Sequence, residues 1–200
     1  MPRRRWLAGI PGLGAAAVAA VTGWIGVGVE AWAADDRSGV VSETDLKAGF
    51  LVKLPLFVNW PPASAGDPQA PIVIGILGED PFGAMFDATL KPLRTDGRPF
   101  AVRRFSDLAD LGDCHILFIS RSEQGRWDEI FKKLGNRPVL TVADLPGFAA
   151  RGGMFNCFVE NGRLRFECNR EAIQRGGLKV SGRLLQIARI VRDERPAADR

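Results

Sequence analysis

Tyrosine is absent from this 200-residue chain, histidine occurs once and cysteine three times. Each scarcity removes a class of chemistry. With His115 alone, neither a multi-histidine metal site nor a histidine-dependent triad is easily assembled. Cys114 lies beside it, but neighbours on a strand point to opposite faces, so thiol and imidazole should diverge. A core histidine bonded to backbone is the expectation. No C-x-x-C occurs, which disfavours a thiol oxidoreductase. Gly75-x-x-Gly78-x-x-x-x-Gly83 sits between a predicted strand and a predicted helix. Its spacing is wrong for the dinucleotide fingerprint, and no Gly-Lys-Ser/Thr follows. Without tyrosine, and with few aromatics on predicted loops, nothing supports a stacking platform for sugars or single-stranded nucleic acid. Carboxylates are plentiful (Asp107, Asp110, Asp113, Asp128, Glu129, Asp144, Glu160, Glu167), yet nothing local selects a pair, and most should be caps and surface charges. No nucleophile–base constellation emerges.

What is present begins with an address. Arg3, Arg4 and Arg5 precede a Gly/Ala-rich apolar stretch from Trp6 to Val29, then Ala31-Trp32-Ala33 and a polar Ala34-Asp35-Asp36-Arg37. That is the layout of a secretory signal peptide cleaved near Ala33, with periplasmic localisation as the expectation. Arg3-Arg4-Arg5-Trp6-Leu7 also resembles a twin-arginine signal, although Pro2 stands where Ser or Thr is usual, so both export routes stay open. Cleavage leaves 24 basic against 22 acidic residues, too near neutrality to suggest nucleic-acid binding. The expected division is a signal peptide over 1–33, a disordered segment over 34–41, one domain over 42–192 and a charged, frayed tail over 193–200.

The domain reads as α/β. Ser42-Glu43-Thr44-Asp45 is a capping box that opens a helix carrying Leu46, Phe50, Leu54, Phe57 and Val58 at helical spacing. Pro55, lacking an amide donor, should kink that helix or end it early. Ile72 to Leu77, Phe100 to Phe105, His115 to Ile119 and Pro138 to Val142 read as strands. A helix opened by Asp80-Pro81 runs through Leu90, and another covers Ser122 to Leu134. Such alternation predicts a single domain built on a mixed six-stranded sheet flanked by helices. A C-terminal β-hairpin follows, Met154 to Glu160 and Arg163 to Cys168 around Asn161-Gly162. Asn169 should cap a short helix ending at Gly176-Gly177. Ser181 should cap a last one bearing Leu184, Leu185, Ala188 and Val191.

The hairpin holds two of the three cysteines. With Asn161-Gly162 as a two-residue turn, Cys157 faces Phe166 and Cys168 is its diagonal neighbour. With Gly162-Arg163 as the turn, Cys157 faces Cys168 directly. Both registers put the thiols on one side of the sheet, which allows a Cys157–Cys168 disulfide in an oxidising compartment. The alternative is two small buried apolar residues, because cross-strand disulfide geometry is demanding. Cys114 is left as a buried free thiol.

Several segments together resemble the YfiR family of small periplasmic regulators. They include Leu46-Lys47-Ala48-Gly49-Phe50 with Phe57-Val58-Asn59-Trp60-Pro61, and Ile74-Gly75-Ile76-Leu77-Gly78-Glu79-Asp80-Pro81-Phe82-Gly83. Further on stand Leu140 to Phe148, Gly152-Gly153-Met154, Arg165-Phe166-Glu167 and Gly177-Leu178-Lys179-Val180-Ser181. The resemblance implies a mixed α/β fold, often dimeric, without catalysis or cofactor. It further implies binding to the periplasmic region of a membrane diguanylate cyclase, which restrains the enzyme and lowers cyclic di-GMP. An OmpA-like outer-membrane lipoprotein as a second partner also follows from it. By correspondence, Phe155, Glu167 and Ile173 are the partner-binding positions, although strand alternation sets Phe155 and Glu167 on opposite faces. A small-ligand sensor using the crevice near Gly75 to Phe82 is the alternative function, and a hydrolase a third.

Overall fold

The computed structural model describes residues 42–62, 67 and 69–195. The predicted signal peptide, the 34–41 segment and the last five residues lie outside the described residues. Helix α1 (Glu43–Lys53) starts as its sequence dictates: Ser42 Oγ accepts from the Asp45 amide at 3.0 Å, and Asp45 Oδ2 accepts from the Ser42 amide at 3.2 Å. It ends early, passing into a 3₁₀ turn at Leu54–Leu56. Pro55 has no amide to continue the ladder, so the longer helix expected up to Val58 does not form.

Among the described residues, ten strands follow in chain order: β1 (Val58–Asn59), β2 (Ile72–Leu77), β3 (Arg94–Thr95), β4 (Arg98–Phe105), β5 (Ile116–Ile119), β6 (Leu140–Ala143), β7 (Phe155–Glu160), β8 (Arg163–Asn169), β9 (Lys179–Val180) and β10 (Arg189–Val191). The helices between them are α2 (Gly83–Leu90), α3 (Trp127–Leu134), α4 (Arg170–Arg175) and α5 (Gly182–Ile187). The main sheet is mixed and eight-stranded, in the order β10-β8-β7-β6-β5-β2-β4-β3. The six expected strands form its centre. The short β3 and β10 extend its two edges, and β1 pairs separately with β9, Val58 opposite Val180. These additions are two or three residues long, too short for any alternation to be visible in sequence.

Strand alternation splits the core between two faces. Ile74, Ile76, Ile116, Phe118, Leu140, Val142, Phe155 and Phe166 pack on one side, under Phe50 and Leu51 of α1 and Leu54 of the 3₁₀ turn. Leu77, Leu117, Ile119 and Ala143 pack on the other, with Trp127, Ile130 and Leu134 of α3 and with Phe148. The predicted stripe of α3 is therefore its buried face, although the turn before it, Arg121–Arg126, is 3₁₀ rather than α. Gly153 in the glycine-rich segment is needed for contact: a Cβ there would lie 2.1 Å from a carbon of the Phe148 ring.

The hairpin uses Asn161-Gly162 as its turn. Both residues have positive φ (52° and 69°), the type I′ geometry for which Asn-Gly is suited. Cys157 therefore faces Phe166, and Phe155 faces Cys168. The last helix is shorter than expected, because the chain turns extended at Ala188 and joins β8 as β10. The tail expected to fray is anchored as far as it is described. Asp193 is buried between Arg175, 2.6 Å away, and Arg195, 3.0 Å away.

Candidate functional site

A cleft of about 330 Å³ opens beyond the C-terminal end of β6, where β7 continues paired only with β8. The sheet builds it directly. Parallel strands end together, so Arg121 just past β5 and Asp144 just past β6 emerge on the same side. The first turns of α1 bring Glu43 and Lys47 to that corner. Buried Lys47 donates to Asp144 Oδ2 at 2.6 Å and pairs with Glu43 Oε1 at 2.5 Å. Burial disfavours its ammonium, but Asp144 and Glu43 outweigh that and hold its pKa above the ordinary lysine value. The Lys47 partnership in turn lowers the Glu43 pKa. Arg121 adds a second cation: its Nη2 donates to the Asp144 carbonyl at 3.1 Å, and its Nε lies 3.7 Å from Asp144 Oδ2.

The opposite wall is the hairpin. Asn156 Oδ1 accepts from the Leu145 amide at 2.8 Å, and Asn156 Nδ2 donates to Glu167 Oε2 at 3.1 Å. Arg189 of β10 lies 3.9 Å from Glu167 Oε1. Pro146, Gly147, Cys157, Phe158 and Val159 complete the lining. Salt-bridged cations and carboxylates surround the half-buried end of β7. Such a surface can bind polar main chain or charged side chains, and it presents no activated nucleophile. Burial pushes the Cys157 thiol up to about 12, so at neutral pH it stays protonated.

Only one of the three expected partner-binding residues lies at this cleft. Glu167 lines it. Phe155 is fully buried, against Phe50 and Phe166 at ring-centroid distances of 6.2 and 5.9 Å. Ile173 is buried in the same core from the inner face of α4. Alternation accounts for Phe155, which lies opposite inward-facing Cys168 while Glu167 turns outward. The expected Cys157–Cys168 bridge is not formed, and all three thiols are free. The Asn161-Gly162 register sets the two cysteines on a diagonal, roughly 7–8 Å apart for such neighbours, beyond what a disulfide spans without backbone movement.

His115 and Cys114 diverge, although both lie just before β5 rather than in the strand expected from His115. Cys114 packs near Gly75 in one core, whereas His115 Nδ1 accepts from the Val73 amide at 3.1 Å and its ring meets Trp60 edge-on. At the crevice near Gly75 to Phe82 the glycines lie close to their neighbours. A Cβ on Gly78 would collide with Ser122 and Glu123, and Ser122 Oγ accepts from the Glu79 amide at 3.0 Å. Among the described residues, no three His, Cys, Asp or Glu side chains are grouped to hold a metal ion. Lys47, Asp144 and Asn156 escaped the sequence reading as a site. Lys47 and Asp144 lie 97 residues apart, and no local pattern joins them.

The family profile for YfiR/HmsC-like proteins matches residues 44–189. The chain belongs to the YfiR/HmsC-like family. The match takes in Lys47, Arg121, Asp144, Asn156, Glu167 and Arg189, so the cleft lies within the family's own domain. Glu43 and the Asp193 anchor fall just outside its ends.

Proposed function

We propose that this chain is an exported regulator of the periplasm that binds the periplasmic region of a membrane-bound diguanylate cyclase and holds it inactive, so lowering cyclic di-GMP. The family match over residues 44–189 carries this reading. The cleft supports it, because its ion-paired, strand-edged lining suits recognition and its buried thiol is held protonated. The N-terminal signal layout supports export, and an OmpA-like outer-membrane lipoprotein is the proposed second partner that draws the regulator away from the cyclase. A homodimer is the proposed resting state.

Deletion of the gene should raise cellular cyclic di-GMP, measured by mass spectrometry of nucleotide extracts. Complementation with the full chain should restore the lower level. No rise on deletion, together with no diguanylate cyclase recovered on the tagged protein from solubilised membranes, would overturn the proposal.

A further inference from the structure

In an antiparallel hairpin closed by a two-residue turn, alternate residues send their main-chain groups toward the partner strand and the rest away from it. Glu160 opposite Arg163 closes the turn, and the Asn169 amide donates to the Met154 carbonyl at 2.9 Å. The even-numbered residues of β7 therefore address β8, and Phe155, Cys157 and Val159 address the side where β6 lies. That side is paired only at Phe155 and Asn156, opposite Val142 and Ala143. The next amide of the departing chain, Leu145, is held by the Asn156 side chain rather than by the Cys157 carbonyl. The Val159 amide and carbonyl are left facing the cleft on the half-buried end of β7, with no main-chain partner among the described residues, while Cys157 behind them is closed to solvent.

From this we infer that the β7 edge at Val159 is a docking strip for an extended segment of the partner polypeptide, which adds a short strand beside the end of β7. The inference rests on the reading of the chain as a binding regulator. An amide and a carbonyl on one strand edge are complemented by another main chain, the basis of strand-addition recognition. The recess decides the kind of occupant. Glu43 and Lys47 of α1 stand on one side and Pro146-Gly147 on another, so a single extended segment enters where the broad sheet edge of a second copy is blocked. Charge narrows it further. Lys47 and Asp144 satisfy each other, while the Arg121 and Arg189 side chains are 66% and 74% exposed at the rim, so the entering segment carries a carboxylate beside the strip. Glu167 is then a positioning residue. It holds the amide of Asn156, which keeps the Leu145 amide off the strip.

The test is Val159→Pro in the full exported chain. Proline removes the one amide that points into the cleft, fills its place with ring carbons and leaves the β7–β8 ladder intact. Val159→Ala keeps the amide and is the control. A photo-crosslinking residue replaces exposed Glu160 at the end of β7 in each background, and crosslinked peptides from living cells are identified by mass spectrometry. The expected result is a crosslink to an extended periplasmic segment of a membrane protein, retained in Val159→Ala and lowered at least tenfold in Val159→Pro. Crosslinks unchanged in Val159→Pro, crosslinks to a second copy or to this chain itself, or no crosslink would each overturn the inference. If Val159→Pro melts early, amide exchange at Val159 in the wild-type protein decides, measured with and without solubilised inner-membrane fraction. At least tenfold slowing supports the strip, and unchanged exchange overturns it. A proline-sensitive crosslink to a polypeptide other than a cyclase leaves the strip standing and removes the cyclase reading. A captured cyclase with a proline-insensitive crosslink does the reverse.

Discussion

The side chain of Asn156 terminates β6: its Oδ1 takes the Leu145 amide at 2.8 Å while Glu167 Oε2 receives its Nδ2 at 3.1 Å. Asn156 is buried, and so is Leu145. Replacing Asn156 by Leu leaves the Leu145 amide without an acceptor and strips Glu167 of a donor. A buried unsatisfied polar group costs about 1–3 kcal/mol. Urea unfolding of Asn156→Leu should show a loss in that range.

Lys47 joins α1 to the end of β6. Lys47→Met keeps much of the side-chain volume but leaves Asp144 with only the longer Arg121 contact. Breaking a fully buried pair by removing one partner costs about 3–5 kcal/mol, and the residual Arg121 pairing reduces this to about 2 kcal/mol. Chemical denaturation should report that loss, and amide exchange should rise first in the opening turns of α1.

Asp193 makes stability depend on acid. Burial raises its pKa, but hydrogen bonds from Arg195 and Arg175 prevail and bring it to about 2, from an ordinary 3.8. A folded-state pKa below the unfolded one contributes stability that is present above the unfolded value and lost as pH falls through the folded value. The wild type should therefore exceed Asp193→Asn by about 2 kcal/mol near neutrality. That gap should close as pH falls from about 4 to about 2. Urea unfolding of both proteins across this window checks the sign.

Phe155 belongs to the core, so its replacement should act through folding. Phe155→Ala should cost about 3–5 kcal/mol, and Phe155→Leu, which retains most of the volume, clearly less. Calorimetry separates this from a surface contact, whose loss would leave the melting temperature unchanged.

The three thiols are buried, and burial pushes each to about 12. Native protein should be inert to a thiol reagent at pH 8. Denatured protein should release three thiols per chain, as a type I′ hairpin with diagonal cysteines requires. A titre of one would mean that Cys157 and Cys168 had bonded by shifting the hairpin.

The sheet centre was legible because its strands declare themselves individually: Ile72 to Leu77 is apolar throughout, and Asn161-Gly162 names its own turn. Capping by Ser42, Asn169 and Ser181 was legible for the same local reason. The short edge strands were hidden, since Arg189–Val191 owes its extended form to the neighbouring β8. The cleft was less visible still. Lys47 reads as one polar residue on a helix and Asp144 as one carboxylate among many until parallel strand ends bring them together. Family correspondence selected Glu167, which lies at the cleft. It could not tell Glu167 from Phe155 and Ile173, which support the same region from inside.

The 97-residue separation of Lys47 and Asp144 also has a temporal meaning. Hairpin β7–β8 closes over a two-residue turn and can form at once, whereas the Lys47 pair must wait until β6 has joined β5. Contacts that close long loops bear the larger entropy cost and are made late. The helix end that walls the cleft is thus among the last parts to settle, and on local unfolding it should be among the first to lift, uncovering the binding strip while the hairpin behind it stays whole.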